Sequence, residues 1–398
     1  MNRNSNINFI ILLVILYSIL ALFWPLYDFL SPIAVVVNML FAISSISFLS
    51  LCKFNNCRYV KLLVLLSISY SLLLLLITTP SLRALIEAVK SKYILFPYLC
   101  IVFSLVQYDI SVLKSLKRIS IISILLYVCF IFYFKDFLIG RYNLTYLENT
   151  ISLDEIVKDF CYSSGFLLLL SPCLKKRYSL SIIFIYIVSI FIAMLLARRN
   201  VIVTSLLFLI GTIISYISFY KYNFKYKFLI VGLLLFVFVN LFPEIKALLN
   251  GESDIAIFAT LNDRVMADSR SDVIEEFKKS MSFLNWIFGK GFAASYFSSA
   301  LGMRNLIETG YLNIIFRVGI VSLLLYVLIL TKAVRIKTDN IVILASKMYI
   351  VISIIECLYA GVPTFNLRWI MIWICVSFCF NPNIRSLSNQ QIKQLLCA

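Results

Sequence analysis

Histidine is absent from this chain of 398 residues, and charged residues make up only 14% of it. Without histidine the chain lacks the commonest metal ligand and the commonest proton carrier near neutral pH. Any catalysis must therefore use carboxylates, tyrosine, lysine or arginine. A water-soluble protein of this length needs far more charge to cover its surface, so the scarcity of charge excludes that class.

Acidic residues are also scarce, with 19 Asp and Glu against 36 Lys and Arg and a net charge of +17. In a soluble protein this excess would suggest nucleic acid, but cytoplasmic loops of membrane proteins carry the same bias. We therefore expect no nucleic-acid partner. The ten cysteines contain no Cys-x-x-Cys pair and lie mostly inside apolar runs. We expect no disulfide framework, no metal site and no cofactor.

The chain is 62% hydrophobic with a mean hydropathy of +0.97, so lipid must be the solvent for much of it. We predict an all-α integral membrane protein, with residues 1–398 forming a single polytopic domain. We expect the first apolar run to be retained, because Trp24-Pro25 follows it without a small-residue cleavage site. About twelve runs approach spanning length: 8–24, 33–51, 60–78, 93–106, 119–134, 160–174, 180–197, 201–220, 228–243, 307–330, 341–360 and 368–380. Those at 93–106, 160–174 and 368–380 are short and could extend into their flanks or be re-entrant.

Basic clusters occupy every second loop of this map. They lie at 53–61, 114–118, 175–177, 221–227 and 332–337, whereas residues 135–159 between two of them hold five acids and three bases. Loops rich in Lys and Arg stay in the cytoplasm, so both termini are predicted to be cytoplasmic. Residues 244–306 then form a large extracytoplasmic loop.

That loop contains one helical pattern. Ser269-Arg-Ser-Asp272 has capping-box spacing, and Ile274, Phe277, Met281 and Leu284 recur at helical intervals. We predict an amphipathic helix over 270–288 that lies on the outer membrane surface with these four side chains inward. Gly289 and Gly291 end it.

From residue 198 onward, and apart from Arg304, six arginines fall on the predicted outer side, where positive charge is disfavoured: Arg198, Arg199, Arg264, Arg270, Arg317 and Arg368. Guanidinium groups bind phosphate oxygens in pairs, so an anionic ligand such as a lipid-linked diphosphate would explain them. Each also has an ordinary explanation. Arg198 and Arg199 could extend to lipid headgroups, the loop arginines could form surface ion pairs, Arg317 could pair with Glu356 inside the bundle, and Arg368 could lie in an aromatic belt.

Three stretches resemble the Wzy-type O-antigen and capsular polysaccharide polymerases, relatives of the O-antigen ligases. They are Met194-Leu-Leu-Ala-Arg-Arg-Asn200, then Ser269-Arg-Ser271 with Asn285-Trp-Ile-Phe-Gly-Lys-Gly-Phe292, and Glu308-Thr-Gly-Tyr-Leu-Asn-Ile-Ile-Phe-Arg-Val-Gly-Ile320. Asn200 stands where Thr or Gly is usual in the family. The ligases carry a histidine where this chain has Glu308.

The resemblance implies that the protein joins undecaprenyl-diphosphate-linked oligosaccharides at the outer face of the bacterial cytoplasmic membrane. It implies catalytic roles for Glu308, Arg270 and Arg317, and diphosphate binding by all six outer arginines. A carboxylate would accept the proton of the acceptor hydroxyl, and arginines would stabilise the leaving diphosphate. Membrane lipid, a chain-length regulator and a flippase are the expected partners.

Two other functions fit a polytopic chain. A transporter or flippase of lipid-linked oligosaccharide is disfavoured by the lack of an internal repeat and by the count of only 11 glycines. An O-antigen ligase is disfavoured by the absence of histidine.

The predicted topology can be tested with single cysteines. Ser253→Cys should react with a membrane-impermeant maleimide while the cytoplasmic membrane is intact, and Thr338→Cys only after that membrane is breached. The unmodified chain, with its native cysteines, gives the background. Reaction of Ser253→Cys only after permeabilisation would show that the loop is cytoplasmic.

Overall fold

The computed structural model describes residues 3–23, 30–55, 57–79, 81–133, 153–195, 198–220, 269–299, 302–337 and 340–397. Eight helices in these ranges are long and apolar enough to cross a membrane. They are α1 (Arg3–Phe23), α2 (Leu30–Leu51), α3 (Arg58–Thr78), α6 (Val112–Tyr133), α9 (Lys176–Leu195), α10 (Arg199–Phe219), α13 (Gly310–Val334) and α14 (Ile341–Tyr359). The prediction of a multi-pass helical membrane protein is confirmed in this respect. The predicted span 228–243 lies outside the described residues.

Large apolar side chains cover the outside of these helices. Ile46 of α2 is 69% exposed and Leu76 of α3 is 77% exposed. Exposure of such a continuous apolar surface to water is energetically unfavourable, whereas its exposure to the hydrocarbon core of a bilayer is favourable. The bundle is therefore built to face lipid.

The three short predicted spans are indeed too short to cross alone. Residues 96–105 form α5 (Phe96–Leu99) and a 3₁₀ turn (Cys100–Leu105), and α15 (Leu367–Phe380) has 14 residues. The third follows α7 (Leu153–Ile156) and consists of π and 3₁₀ turns around α8 (Gly165–Leu169). All three are buried inside the bundle.

Hydroxyl groups of neighbouring helices satisfy the irregular backbone of the third segment. Tyr186 donates to the carbonyl of Cys161, and Tyr349 donates to the carbonyl of Tyr162. Irregular backbone at membrane depth requires such partners, because lipid supplies none.

The helices alternate in direction and define two ends of the bundle. At one, the basic end, residues 52–55, 106–111, 335–337 and Asn340 meet the short helices α16 (Pro382–Arg385) and α17 (Asn389–Cys397). At the other, the cavity end, the described elements include α4 (Leu82–Lys90) and residues 283–299, 302–310 and 360–366. The predicted cytoplasmic clusters that the structure describes lie together at the basic end.

The predicted amphipathic helix is wrong in its length and in part of its inward face. It divides into α11 (Ser269–Ser280) and α12 (Phe283–Phe288), because the Ser282 hydroxyl accepts the N–H of Asn285 and starts a new helix. Phe277 and Met281 are buried as predicted, but Leu284 is 63% exposed. An unpredicted hairpin follows, with β1 (Tyr296–Ser298) antiparallel to β2 (Gly302–Arg304).

Helix α13 breaks at Gly319, where φ is +74°. At the break, the carbonyl of Phe316 accepts the Lys290 N–H at 2.8 Å and the carbonyl of Arg317 accepts the Gly291 N–H at 3.0 Å. The turn after α12 is thereby bonded to the broken helix. A Cβ at residue 319 would collide with the carbonyl of Ile287, so glycine is required for both its conformation and its size.

Gly319→Ala should destabilise the protein by about 2–5 kcal/mol, since a left-handed conformation costs about 1–2 kcal/mol and overpacking about 1–3 kcal/mol. Gly302→Ala is the matched control, because Gly302 also has a positive φ, of +70°, but has open space around its Cα. Only strain of about 1–2 kcal/mol is expected there. Thermal unfolding in detergent measures both, and equal losses would contradict the proposed close packing.

Candidate functional site

A cavity of about 560 Å³ opens at the cavity end, within the size range of small-ligand sites. Its lining comes from two separate parts of the chain: α4, residues 90–94 and Glu155 form one group, and residues 292–294, Asn305 and Arg317 form the other. We call it the Arg317 cavity. Its charged lining residues are Glu87, Lys90, Lys92, Glu155 and Arg317.

Arg317 is the deepest cation of this cavity and is 1% exposed. Its guanidinium donates to the carbonyls of Phe292, Ala294 and Asn305, which belong to the turn after α12 and to the segment after the hairpin. Carbonyl oxygens are neutral, so these bonds hold the guanidinium in place, and no carboxylate in the described part of the chain compensates its charge. A group of this kind can bind an anion without first releasing a carboxylate.

The alternative in which Arg317 pairs with Glu356 is wrong. Glu356 forms its ion pair with Arg368, and both residues are buried at 5% exposure or less. The Arg368 guanidinium also lies 5.6 Å from the centre of the Tyr162 ring. Arg368, which we predicted to bind diphosphate, thus has a carboxylate and an aromatic partner inside the bundle and is not part of the lining of the Arg317 cavity.

The cavity lining also holds an ion pair that sequence reasoning missed. The Lys92 ammonium lies 2.9 Å from Oε1 of Glu155, and the Tyr93 hydroxyl donates to the same oxygen at 2.7 Å. The backbone carbonyl of Lys92 accepts the N–H of Phe365, which fixes the segment against the loop before α15. In the sequence, the only indication of this ion pair was the excess of acidic over basic residues in 135–159.

Asp159 lies one helical turn beyond Glu155 and is 5% exposed. Its Oδ1 accepts a hydrogen bond of 2.5 Å from the Asn366 amide. Asn366 in turn caps α15 by accepting the N–H of Trp369. The segment that carries Glu155 is therefore hydrogen-bonded to the start of α15, which fixes the position of the backbone near Glu155.

Of the other predicted site residues, the structure describes the side chains of Glu308 and Arg198. Glu308 is exposed, near Tyr296 of the hairpin, and is not part of the lining of the Arg317 cavity. Arg198 is half-buried immediately before α10. The side chains of Arg199 and Arg270 and the whole of Arg264 lie outside the described part of the structure. Their convergence with Arg317 stays a prediction.

Among the described residues, no group of three or more Cys, Asp or Glu side chains is placed to hold a metal ion.

Comparison with known proteins gives no relative. No family model, no curated protein and no solved structure matches this chain. The site must therefore be interpreted from its own chemistry.

The Glu356–Arg368 pair yields a stability prediction. Glu356→Leu or Arg368→Met alone should cost about 3–5 kcal/mol, because each leaves a buried charge unpaired, whereas the double variant should recover most of the loss. Thermal unfolding of the three purified variants measures this. If the double variant is as unstable as the singles, the pair is not the reason for their burial.

Proposed function

We propose that this chain is a membrane glycosyltransferase that polymerises undecaprenyl-diphosphate-linked oligosaccharide repeat units of an O-antigen, capsule or exopolysaccharide. One observation carries the proposal. Two of the stretches that resemble the polymerases, Asn285–Phe292 and Glu308–Ile320, are hydrogen-bonded to each other and together present Arg317 to the cavity.

In the proposed reaction, a hydroxyl oxygen of the incoming repeat unit attacks the anomeric carbon of the growing glycan. The bond between that carbon and the diphosphate oxygen breaks, and the electron pair leaves with the diphosphate. Negative charge grows on this leaving group, and a fixed guanidinium stabilises it in the transition state. The acceptor proton passes to a carboxylate, a role for which the resemblance indicates Glu308.

The charge distribution supports a location for this reaction. The basic end holds the Lys and Arg clusters that mark cytoplasmic loops, which would place the Arg317 cavity at the outer face of the bacterial cytoplasmic membrane. Both termini would then be cytoplasmic. Lipid-linked substrate would arrive from a flippase, and a chain-length regulator would act on the product.

The diphosphate site can be tested with lysine substitutions at Arg199, Arg270 and Arg317. Lysine keeps the charge but not the paired hydrogen bonds, so polymer formation should fall about 10- to 100-fold at each true ligand. Arg83→Lys is the control, since Arg83 is exposed on α4 at the same end. The readout is the polysaccharide ladder of a complemented deletion strain, normalised to the amount of protein in the membrane.

Normal ladders in all three variants would end the diphosphate proposal and favour the flippase alternative. A deletion strain that still makes polymer would exclude the polymerase itself. A deletion strain that accumulates lipid-linked single units on the outer face supports it, because a missing flippase would leave those units on the inner face.

A further inference from the structure

Among the described residues, two carboxylates line the Arg317 cavity, those of Glu87 and Glu155. Glu308, to which the resemblance gives the role of base, is exposed beside the hairpin and is not among the lining residues. A base must come within hydrogen-bond distance of the proton that it removes. The cavity lining therefore offers a different carboxylate for the acceptor hydroxyl.

Glu155 has the geometry of an oriented base. The two hydrogen-bond donors that contact it, the Lys92 ammonium and the Tyr93 hydroxyl, both bond to Oε1. Oε2 is thus left for a ligand, and the Glu155 side chain is 32% exposed where it lines the cavity. Lys92 is 9% exposed, so the group that orients the carboxylate is itself largely buried.

The charge state of Glu155 suits the same role. Burial acts to raise the pKa of this carboxyl, but the Lys92 ammonium and the two hydrogen bonds outweigh it and hold the pKa below its usual value. The carboxylate is consequently ionised at neutral pH and able to accept a proton.

We propose that Glu155 is the catalytic base of the Arg317 cavity and that Lys92 is its positioning residue. This inference rests on the proposed polymerase function. The acceptor hydroxyl gives its proton to Oε2 of Glu155 as its oxygen bonds to the anomeric carbon. The electron pair of the broken bond leaves with the diphosphate on the side of Arg317. Within one transfer, Glu155 would thus take up the proton of the acceptor hydroxyl, and Arg317 would stabilise the negative charge on the leaving diphosphate.

Glu87 provides the matched control. It lines the same cavity from α4, but it is exposed, and neither Lys92 nor Tyr93 bonds to it. Glu155→Gln keeps an oxygen that can accept from both donors, so this variant should fold. We expect its polymerisation rate to fall about 10²- to 10⁴-fold, the usual contribution of a general base. Glu87→Gln should retain a rate within a few-fold of the parent, and Glu308→Gln is measured beside it to compare the two candidate bases.

The rate is measured in membranes of the deletion strain, which hold the cell's own lipid-linked repeat unit, after addition of purified variant in equal amounts. Glu155→Asp is the second variant, since it keeps the base but moves it back by one methylene. A rate between those of the parent and Glu155→Gln is expected. A parent-like rate for Glu155→Gln would overturn the proposal, and a loss confined to Glu308→Gln would return the role to Glu308.

The pH profile separates a base from a structural ion pair. Loss of the Lys92 ammonium raises the pKa of Glu155, so the acidic limb of the profile in Lys92→Met should move to higher pH. The described charged and titratable groups near the pair or in the cavity lining are Tyr17, Glu87, Lys90, Tyr93, Lys158, Asp159 and Arg317. None of them is changed in this comparison. An unmoved acidic limb would contradict the assignment.

The double variant Lys92→Met/Glu155→Gln completes the test. If Glu155 serves only to neutralise Lys92, removing both charges should restore activity, and that result would overturn the proposal. A base cannot be restored in this way, so the double variant should stay inactive. Failure of the polymerase function itself is distinguishable, because Arg317→Lys would then leave the ladder unchanged as well.

Discussion

The break in α13 at Gly319 is the constraint on which the cavity end depends. A continuous helix would use the carbonyls of Phe316 and Arg317 for its own hydrogen bonds. In the structure they accept the N–H groups of Lys290 and Gly291. The Arg317 side chain completes the link by donating to carbonyls at Phe292, Ala294 and Asn305. A distant segment is thereby held on the helix through backbone groups, which explains why short glycine-rich motifs suffice to specify it.

This arrangement gives Arg317 a structural and an electrostatic role at the same time. Its hydrogen-bonding capacity is largely directed to neutral carbonyls, which satisfy the group without cancelling its charge. The rigidly held Arg317 guanidinium therefore produces a positive electrostatic potential in the cavity beside it. The Lys92–Glu155 pair in the lining of the same cavity contributes little net potential, because its cation and anion nearly neutralise each other. Its contribution is to hold the Glu155 carboxylate in one orientation.

The buried arginines Arg368 and Arg317 are accommodated in the bundle in two different ways. Arg368 and Glu356 lie deep between helices and neutralise each other, as the cost of an unpaired charge in a membrane protein requires. Among the described residues Arg317 contacts no carboxylate, and it borders a cavity instead. The arginines near this end are therefore not equivalent, although their positions in the sequence make them look alike. The distinction separates a packing element of the bundle from a group available to a ligand.

The sequence by itself determined the environment, the helical class and the grouping of loops at two ends. These properties are local, since hydrocarbon demands apolar helices and Lys or Arg clusters mark one side. It also located Arg317 and the two segments that enclose it. Only the tertiary structure decided that Glu356 pairs with Arg368, that Ser282 starts a new helix and that Lys92 meets Glu155. Lys92 and Glu155 are far apart in the chain and come from different elements, so no spacing rule could join them. Contacts between distant segments depend on how the helices pack, and packing is a property of the whole bundle rather than of any stretch within it.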